Sequence, residues 1–195
     1  MSQIIQMKIT LEGIRPPIWR RVLVDKKSTL ADLHSIIQET MGWTNSHLHQ
    51  FIIRGVFFDP NPQDPDCNHD AKDEHKYTLS ELHSGEVSEF HYEYDFGDGW
   101  NHTIVFEKLL PLDPIEKYPR CIKGKRACPP EDVGGIWGYQ SMLDTLRGPQ
   151  SDEKDGIIEW LGTSSFDSGA FDLESANLNL DTIQPGTSNH KFDSY

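Results

Sequence analysis

The chain has 195 residues, of which 36% are hydrophobic, and its formal net charge is −13. It is long enough to bury one hydrophobic core, and it lacks an apolar run of the roughly 18 to 20 residues that a membrane span needs, so a wholly disordered chain and a membrane protein are excluded. The charge also argues against general nucleic-acid binding, because that affinity comes largely from Lys and Arg neutralising phosphates.

The cysteine count and the N-terminus both favour the cytoplasm. Three cysteines are an odd number, and the first residues lack the charged-then-apolar layout of a secretory signal. A disulfide-stabilised secreted domain is therefore not expected, and the sequence predicts a cytoplasmic protein with reduced thiols.

The first quarter of the chain alternates between strand and helix periodicity. The segments are a strand over 4–11, a strand over 18–24, a helix over 30–41 and a strand over 47–53. Pro16-Pro17 separates the two strands of a predicted hairpin. Thr29 and Asp32 form a capping-box pattern before the helix, and Gly42 is placed to cap its end. A β-grasp fold is one arrangement that begins in this order.

Aromatic residues mark a second predicted hairpin. They alternate with polar residues over 90–96, and a further apolar run covers 102–109. Asp98-Gly99 between the runs is typical of a two-residue turn, since both turn positions need a positive φ. Such a turn would place Asp95 opposite His102.

The rest of the chain divides into loops and short helices. Residues 59–76 are predicted to be an exposed acidic loop, and residues 118–138 a structured loop rich in glycine and proline. Start and stop signals predict three helices, over 139–147, 151–161 and 172–180. The sequence thus predicts an α+β fold with a mixed or antiparallel sheet. We expect residues 1–180 to form one domain with a helical end over 139–180, and residues 181–195 to form a flexible tail.

Carboxylates and imidazoles gather around the aromatic hairpin as candidate catalytic groups. They are Asp95, Asp98, His102, His49, Glu131 and Asp132. Side chains of this kind can hold a divalent cation for phosphoester hydrolysis or act as acid and base. A structural role is the alternative, because the turn explains Asp98, a cross-strand pair explains Asp95 with His102, and capping of the Gly-Gly turn explains Asp132.

A second candidate is a site for zinc or another divalent metal. Its potential ligands are Cys121, Cys128, His47, His49, Cys67 and His69. Zinc prefers four Cys or His ligands, but the C-x6-C spacing is wider than the usual paired cysteines. Packing of both thiols in a loop is the alternative.

A third candidate is an anion site made of Arg15, Arg20 and Arg21 beside Trp19, where planar guanidinium groups can bind phosphate or carboxylate. A second basic cluster consists of Arg120, Lys123, Lys125 and Arg126. A solvated face that balances nearby acids is the alternative for both clusters, and for Trp19 the alternative is that it plugs the core beneath a loop.

Several motifs occur in a characteristic order: G-I-R-P-P-I-W-R-R, T-L-A-D-L-H, M-G-W-T with S-H-L-H-Q-F, Y-D-F-G-D-G-W, and Y-P-R-C with G-K-R-A-C-P-P-E-D-V-G-G. On these motifs the chain resembles the plasmid pRi ORF-three-like family over residues 3–180. The resemblance links the chain to a passenger protein of an insertion element, and that passenger protein is labelled as a resolvase homologue. The resemblance implies no catalytic residues and no cofactor.

Resolvase activity itself is not expected. A resolvase needs a basic DNA-binding helix-turn-helix, whereas residues 151–195 carry a formal charge of −7. The sequence also lacks a G-x-S-x-G motif and a Walker lysine. We therefore expect a non-enzymatic binding or accessory protein, associated with mobile elements, that engages an unknown protein or small-molecule partner. A metal-dependent hydrolase or nuclease and a weak DNA-binding accessory factor are the alternatives.

Overall fold

The computed structural model describes residues 3–63 and 70–183. Its strands are β1 Gln3–Leu11, β2 Ile18–Asp25, β3 His49–Ile53, β4 Val56–Asp59, β5 Lys72–Asp73, β6 Glu89–Tyr94, β7 Trp100–Pro111 and β8 Arg120–Lys125. Its helices are α1 Leu30–Met41, α2 Leu79–Ser84, α3 Gly135–Arg147, α4 Asp152–Leu161 and α5 Leu173–Leu180, with a 3₁₀ turn at Glu74–Lys76. None of these helices is both long and apolar enough to cross a bilayer.

All eight strands form one sheet in the order β5-β4-β3-β6-β7-β1-β2-β8. Neighbouring strands are antiparallel except for β4 and β5, which run parallel. The long strand β7 pairs with both β1 and β6 and so joins the N-terminal hairpin to the aromatic hairpin. The predicted α+β fold with a mixed sheet is confirmed.

The core lies on one face of the sheet, as the strand alternation requires. In β1, Met7 and Ile9 are fully buried whereas Lys8 and Thr10 on the other face are partly exposed. Helix α1 covers the buried face, and residues of α3 and α5 join the same apolar cluster. An antiparallel sheet of this kind leaves its second face open to solvent.

Local capping explains where α1 begins and ends. The Thr29 side chain accepts a hydrogen bond from the Asp32 amide, and the Asp32 side chain accepts one from the Thr29 amide. Gly42 has a φ of 88°, the left-handed conformation expected at a helix C-terminus. The predicted helix therefore matches the observed one.

Three expectations for loops need correction. The predicted two-residue turn at Asp98-Gly99 is wrong, because residues 95–99 form a five-residue connection in which only Gly99 of that pair has a positive φ. Residues 118–138 are not wholly a loop, because they contain strand β8. This strand forms by hydrogen bonding to β2, which is distant in sequence and leaves no local pattern. The range 59–76 is not uniformly exposed, since it includes β5 and the fully buried Glu74.

Arg20 sits on the core face of β2 with only 2% of its surface exposed. Its guanidinium donates hydrogen bonds to the backbone carbonyls of Thr40, at 2.7 Å, and of Trp19 and Lys125, both at 3.0 Å. It also lies 4.1 Å from the centre of the Phe171 ring. Arg20 therefore ties the end of α1 to the end of β8 and is not available to bind an anion.

Replacing Arg20 is expected to destabilise the fold. In an Arg20→Met variant the carbonyls lose their donor, and each buried unsatisfied group costs on the order of 1–3 kcal/mol. Because three carbonyls are affected, urea unfolding should show a loss of about 3 kcal/mol or more. The matched variant Arg15→Met, at an exposed position, should change stability by less than about 0.5 kcal/mol, and equal effects of the two substitutions would contradict this role.

Candidate functional site

Three loops meet at one end of the sheet, and we call this region the loop end: residues 42–48, 95–99 and 126–134. The Gly134 amide donates a hydrogen bond to Asp98 Oδ2 at 3.2 Å. Gly135 has a φ of 66°, and a Cβ there would lie 2.5 Å from the Asp98 carbonyl oxygen. Only glycine allows this approach of two backbones.

Glu131 connects the loops through its carboxylate. One oxygen accepts a short hydrogen bond from the Tyr94 hydroxyl, and the other accepts the Thr44 amide at 3.0 Å. The Ser46 amide in turn donates to the Tyr94 hydroxyl at 3.0 Å. Burial, with the neighbouring Glu131 carboxylate, raises the pKa of Tyr94 well above its usual range. Tyr94 therefore stays protonated as a donor.

Aromatic rings form the floor beneath this network. Trp43 stacks on Tyr94 at 5.0 Å and on Trp100 at 6.1 Å between ring centres, and it meets His102 edge-on at 5.4 Å. The Trp43 indole N–H donates to the Pro129 carbonyl at 3.0 Å. The rings bury apolar area and also hold loop 126–134 in place.

Above this floor, His47, Asp95 and Asp132 converge. His47 Nε2 lies 3.1 Å from Asp132 Oδ1 and 3.7 Å from Asp95 Oδ2, and one ligand atom from each residue lies within 4.8 Å of the others. Zinc–nitrogen and zinc–oxygen bonds are about 2.0–2.2 Å long, which places tetrahedral ligands roughly 3.3–3.6 Å apart. The two His47 distances bracket that separation.

The backbone conformation of Asp95 and Asp132 orients both carboxylates. Asp95 has a φ of 57° and Asp132 a φ of 59°, in the left-handed region that Asp and Asn tolerate better than most residues. Asp95 Oδ1 accepts the amides of Gly97 and Asp98, at 3.0 and 3.2 Å, which leaves Oδ2 directed at His47. Asp95 thus shapes its own loop and presents one free oxygen.

An open pocket of about 320 Å³ adjoins the cluster. Asp132 lines it together with Val133, Met142, Ile157 and Trp160. Several large aromatic residues in and next to these segments are exposed, namely Phe96, Trp137 and Trp160, and Trp137 is 86% exposed. The loop end therefore combines a polar centre with apolar surface that a partner can cover.

Comparison with known proteins identifies the family. The family described as plasmid pRiA4b ORF-3-like protein matches residues 3–175. The chain belongs to this family. The protein y4hQ of Sinorhizobium fredii, described as uncharacterised, is 37% identical over 184 residues, which cover 94% of this chain and 93% of that protein. The crystal structure of MM3350 from Methanosarcina mazei, a protein of unknown function, matches with a TM-score of 0.78 at 36% identity, covering 89% of this chain and 97% of that one.

The structure of this plasmid pRiA4b ORF-3-like protein separates two of the predicted catalytic residues from the cluster. His102 is fully buried on the core face, opposite Tyr92 and not Asp95, and its Nδ1 lies 3.0 Å from the Trp100 carbonyl oxygen. His49 is also buried, with its Nε2 3.0 Å from Glu74 Oε2 and its ring stacked on His34. Neither imidazole reaches Asp95, because both belong to strands and point into the core.

The predicted cysteine ligands also lie elsewhere. Cys121 and Cys128 are free thiols, and burial raises the pKa of both, to about 12 for Cys128. Thiols are poor metal ligands until they lose their protons. Over residues 3–63 and 70–183 neither joins a group of three potential ligands. Cys67 and His69 lie outside the described residues.

The predicted arginine site is divided between the two faces of the sheet. Arg20 points into the core, whereas Arg21 and Trp19 lie on the open face, since alternate residues of a strand point in opposite directions. Arg15 is exposed in the preceding turn. The three arginines therefore do not form one pocket.

The sequence predicts His47 as a metal ligand, whereas it predicts Asp95 and Asp132 as catalytic groups. It also gave no role to Thr44 or to the Tyr94 hydroxyl. The alternation of His47 with His49 suggested a shared face, but strand β3 begins only at His49, so the alternation does not reach His47. The motifs M-G-W-T and P-P-E-D-V-G-G, which border the site, were the sequence signal that could have identified it.

Substitution of Gly135 should separate the loops. Gly135→Ala introduces a strained φ and an overlap with the Asp98 carbonyl, which together cost about 2–4 kcal/mol. Urea unfolding measures this loss. Gly156→Ala in α4 is the control, because a Cβ there meets nothing within 4 Å, and it should stabilise the protein by about 0.5–1 kcal/mol. A neutral Gly135→Ala variant would show that the loops are not tightly packed.

The buried His102 should make stability depend on pH. Burial lowers its pKa from 6.5 to about 4. The unfolded chain takes up this proton near pH 6.5 and the folded protein only near pH 4. The contribution of neutral His102 to the free energy of unfolding is therefore complete above pH 6.5. It is lost as the pH falls toward 4, by up to about 3 kcal/mol.

A His102→Phe variant isolates this contribution. Its free energy of unfolding should fall less between pH 7.5 and 4.5 than that of the wild type. NMR titration of the His102 ring gives the same pKa directly, and protonation near pH 6.5 in the folded protein would contradict the assignment.

Proposed function

We propose that this protein is a binding protein whose loop end holds a divalent cation through His47, Asp95 and Asp132 and engages a partner through the surface around it. The observation that carries the proposal is the spacing of the three side chains, with His47 Nε2 at 3.1 and 3.7 Å from the two carboxylates.

The donor set favours a first-row divalent metal. One imidazole nitrogen with two carboxylate oxygens suits Zn²⁺ or Mn²⁺ better than the all-oxygen shells that Ca²⁺ and Mg²⁺ prefer. A bound cation would also offset the repulsion between two carboxylates held so close together.

The surroundings support a site that is formed before the cation binds. Asp95 and Asp132 are fixed by backbone geometry, and the Glu131 hydrogen bonds immobilise the residue next to Asp132. Ligands held in place by a second layer of contacts lose little conformational freedom on binding.

The exposed face of the site supports a role in binding a partner. The Asp132 side chain is 71% exposed, and the adjoining pocket is lined mostly by apolar residues. A partner that supplies an oxygen donor to the cation and covers Trp137 and Trp160 fits this arrangement. We propose such an accessory role in the cytoplasm, where free thiols such as Cys121 remain reduced.

Metal binding is testable by calorimetry on untagged protein after chelation. Titration with Zn²⁺ and with Mn²⁺ should show one site per chain. Asp95→Asn and Asp132→Asn keep residues that tolerate the left-handed backbone and remove one charge each. Loss of an outer-sphere contact weakens metal binding roughly 10- to 100-fold. Because Asp95 and Asp132 are proposed as direct ligands, each substitution should weaken binding by more than that.

Two surface substitutions serve as controls for the binding experiment. Asp144→Asn and His75→Ala alter exposed residues of the same types outside the cluster and should leave the affinity unchanged. Absence of binding in the wild type, or equal losses in the control variants, would contradict the proposal.

A metal-dependent hydrolase is a second candidate, favoured by one observation. Among the residues that the structure describes, three side chains converge, so a tetrahedral ion held by them would keep one position open for water, as catalytic zinc sites do. Assay of the metal-loaded protein with an activated phosphodiester separates the two candidates. Turnover that Asp132→Asn abolishes would favour the hydrolase, and metal binding without turnover would favour the binding protein.

A further inference from the structure

The open face of the sheet carries a row of cations near the β8 edge. Lys8 in β1 lies opposite Arg21 in β2, and Arg21 lies opposite Lys123 in β8. Arg21 alternates with the buried residues Arg20 and Val22, so it and its register partners lie on the face opposite the core. Neighbouring strands are about 4.8 Å apart, which places three positive charges across roughly 10 Å.

A tryptophan lies beside this row. Trp19 is partly exposed, and it pairs with Thr10 on one side and with Lys125 on the other. Lys8 Nζ lies 5.4 Å and Arg21 Cζ 5.2 Å from the centre of its ring. We call Lys8, Trp19, Arg21, Lys123 and Lys125 the cationic face.

Contacts within the fold offset only part of this positive charge. Like charges directly opposite each other on neighbouring strands destabilise a sheet, and the protein as a whole has 31 acidic and 18 basic residues. Glu107 pairs with Arg21 through two hydrogen bonds of 2.6 Å and offsets one charge. The cationic face together with Glu107 still carries a formal charge of +3, which is complementary to an anionic ligand.

From this surface we propose that single-stranded nucleic acid binds across β1, β2 and β8, with Lys8, Lys123 and Lys125 on its phosphates and one base stacked on Trp19. Single-strand-binding surfaces combine a basic groove with aromatic rings on which bases stack, and stacking does not require a particular base. An acidic peptide would use the cations but would have no use for the indole.

The same surface disfavours duplex DNA. Reading a duplex needs a helix or a narrow β-ribbon that enters a groove, whereas the cationic face lies flat on a broad sheet. The strong negative charge of the rest of the chain also opposes a long polyanion. Binding is therefore confined to a short single strand.

Fluorescence anisotropy with a labelled 12-nucleotide oligo-dT at about 20 mM salt tests the proposal. Binding should weaken with a log–log salt slope of roughly −2, since the three lysine contacts each contribute about 0.7. Lys8→Gln and Lys123→Gln should each weaken binding severalfold and reduce the slope by about 0.7. Trp19→Ala should weaken it about tenfold, and Trp19→Phe should retain most of the affinity.

Lys76→Gln is the matched control, because Lys76 follows β5 at the opposite edge of the sheet, and it should bind like the wild type. EDTA should have no effect, which makes the test independent of the metal site. Three outcomes would overturn the proposal: no binding at low salt, binding unaffected by Lys8→Gln and Trp19→Ala, or equal affinity for a polyglutamate peptide. The last would assign the surface to an acidic protein.

Discussion

The close packing of the Gly134-Gly135 backbone against the 95–99 connection is the contact on which the loop end depends. Gly135 approaches the Asp98 carbonyl more closely than any side chain allows, and the Gly134 amide donates to the Asp98 carboxylate. Glu131 then adds hydrogen bonds to Tyr94 and Thr44. Because these contacts join three segments distant in sequence, the conformation of each loop depends on the other two, and Asp132 is brought close to Asp95.

This packing also explains why the polar residues divide into two groups with different chemistry. Those on strands, such as His102 and His49, point into the core, where burial keeps His102 neutral and His49 pairs with Glu74. Those on the loops lie at the surface, where the Asp132 side chain is 71% exposed and that of His47 is 27% exposed. The sheet thus provides the frame and the loops carry the residues of the proposed cation site, a division common in proteins whose sites lie on loops supported by a rigid scaffold.

Local signals predicted much of the fold, and long-range pairing accounts for what they missed. The alternation over 4–11 and the cap at Thr29 are encoded in neighbouring residues, so β1 and α1 were predictable. Strand β8 has no such alternation and exists because β2 pairs with it. Glu74 lies in a polar segment, and its burial follows from its contact with His49, 25 residues away. For the same reason the sequence grouped Asp95 with Asp132 as candidates but could not add His47 to that cluster.

A double-mutant cycle between Tyr94 and Glu131 tests the interlocking of the loops most directly. Tyr94→Phe and Glu131→Gln, singly and together, are compared by urea unfolding at pH 7. A hydrogen bond to a charged partner contributes about 1.5–3 kcal/mol, and residues in one network show coupling of this order. We expect a coupling free energy of about 1.5 kcal/mol or more. Effects that add to within about 0.3 kcal/mol would show that the two loops fold independently, and would contradict the account of the site.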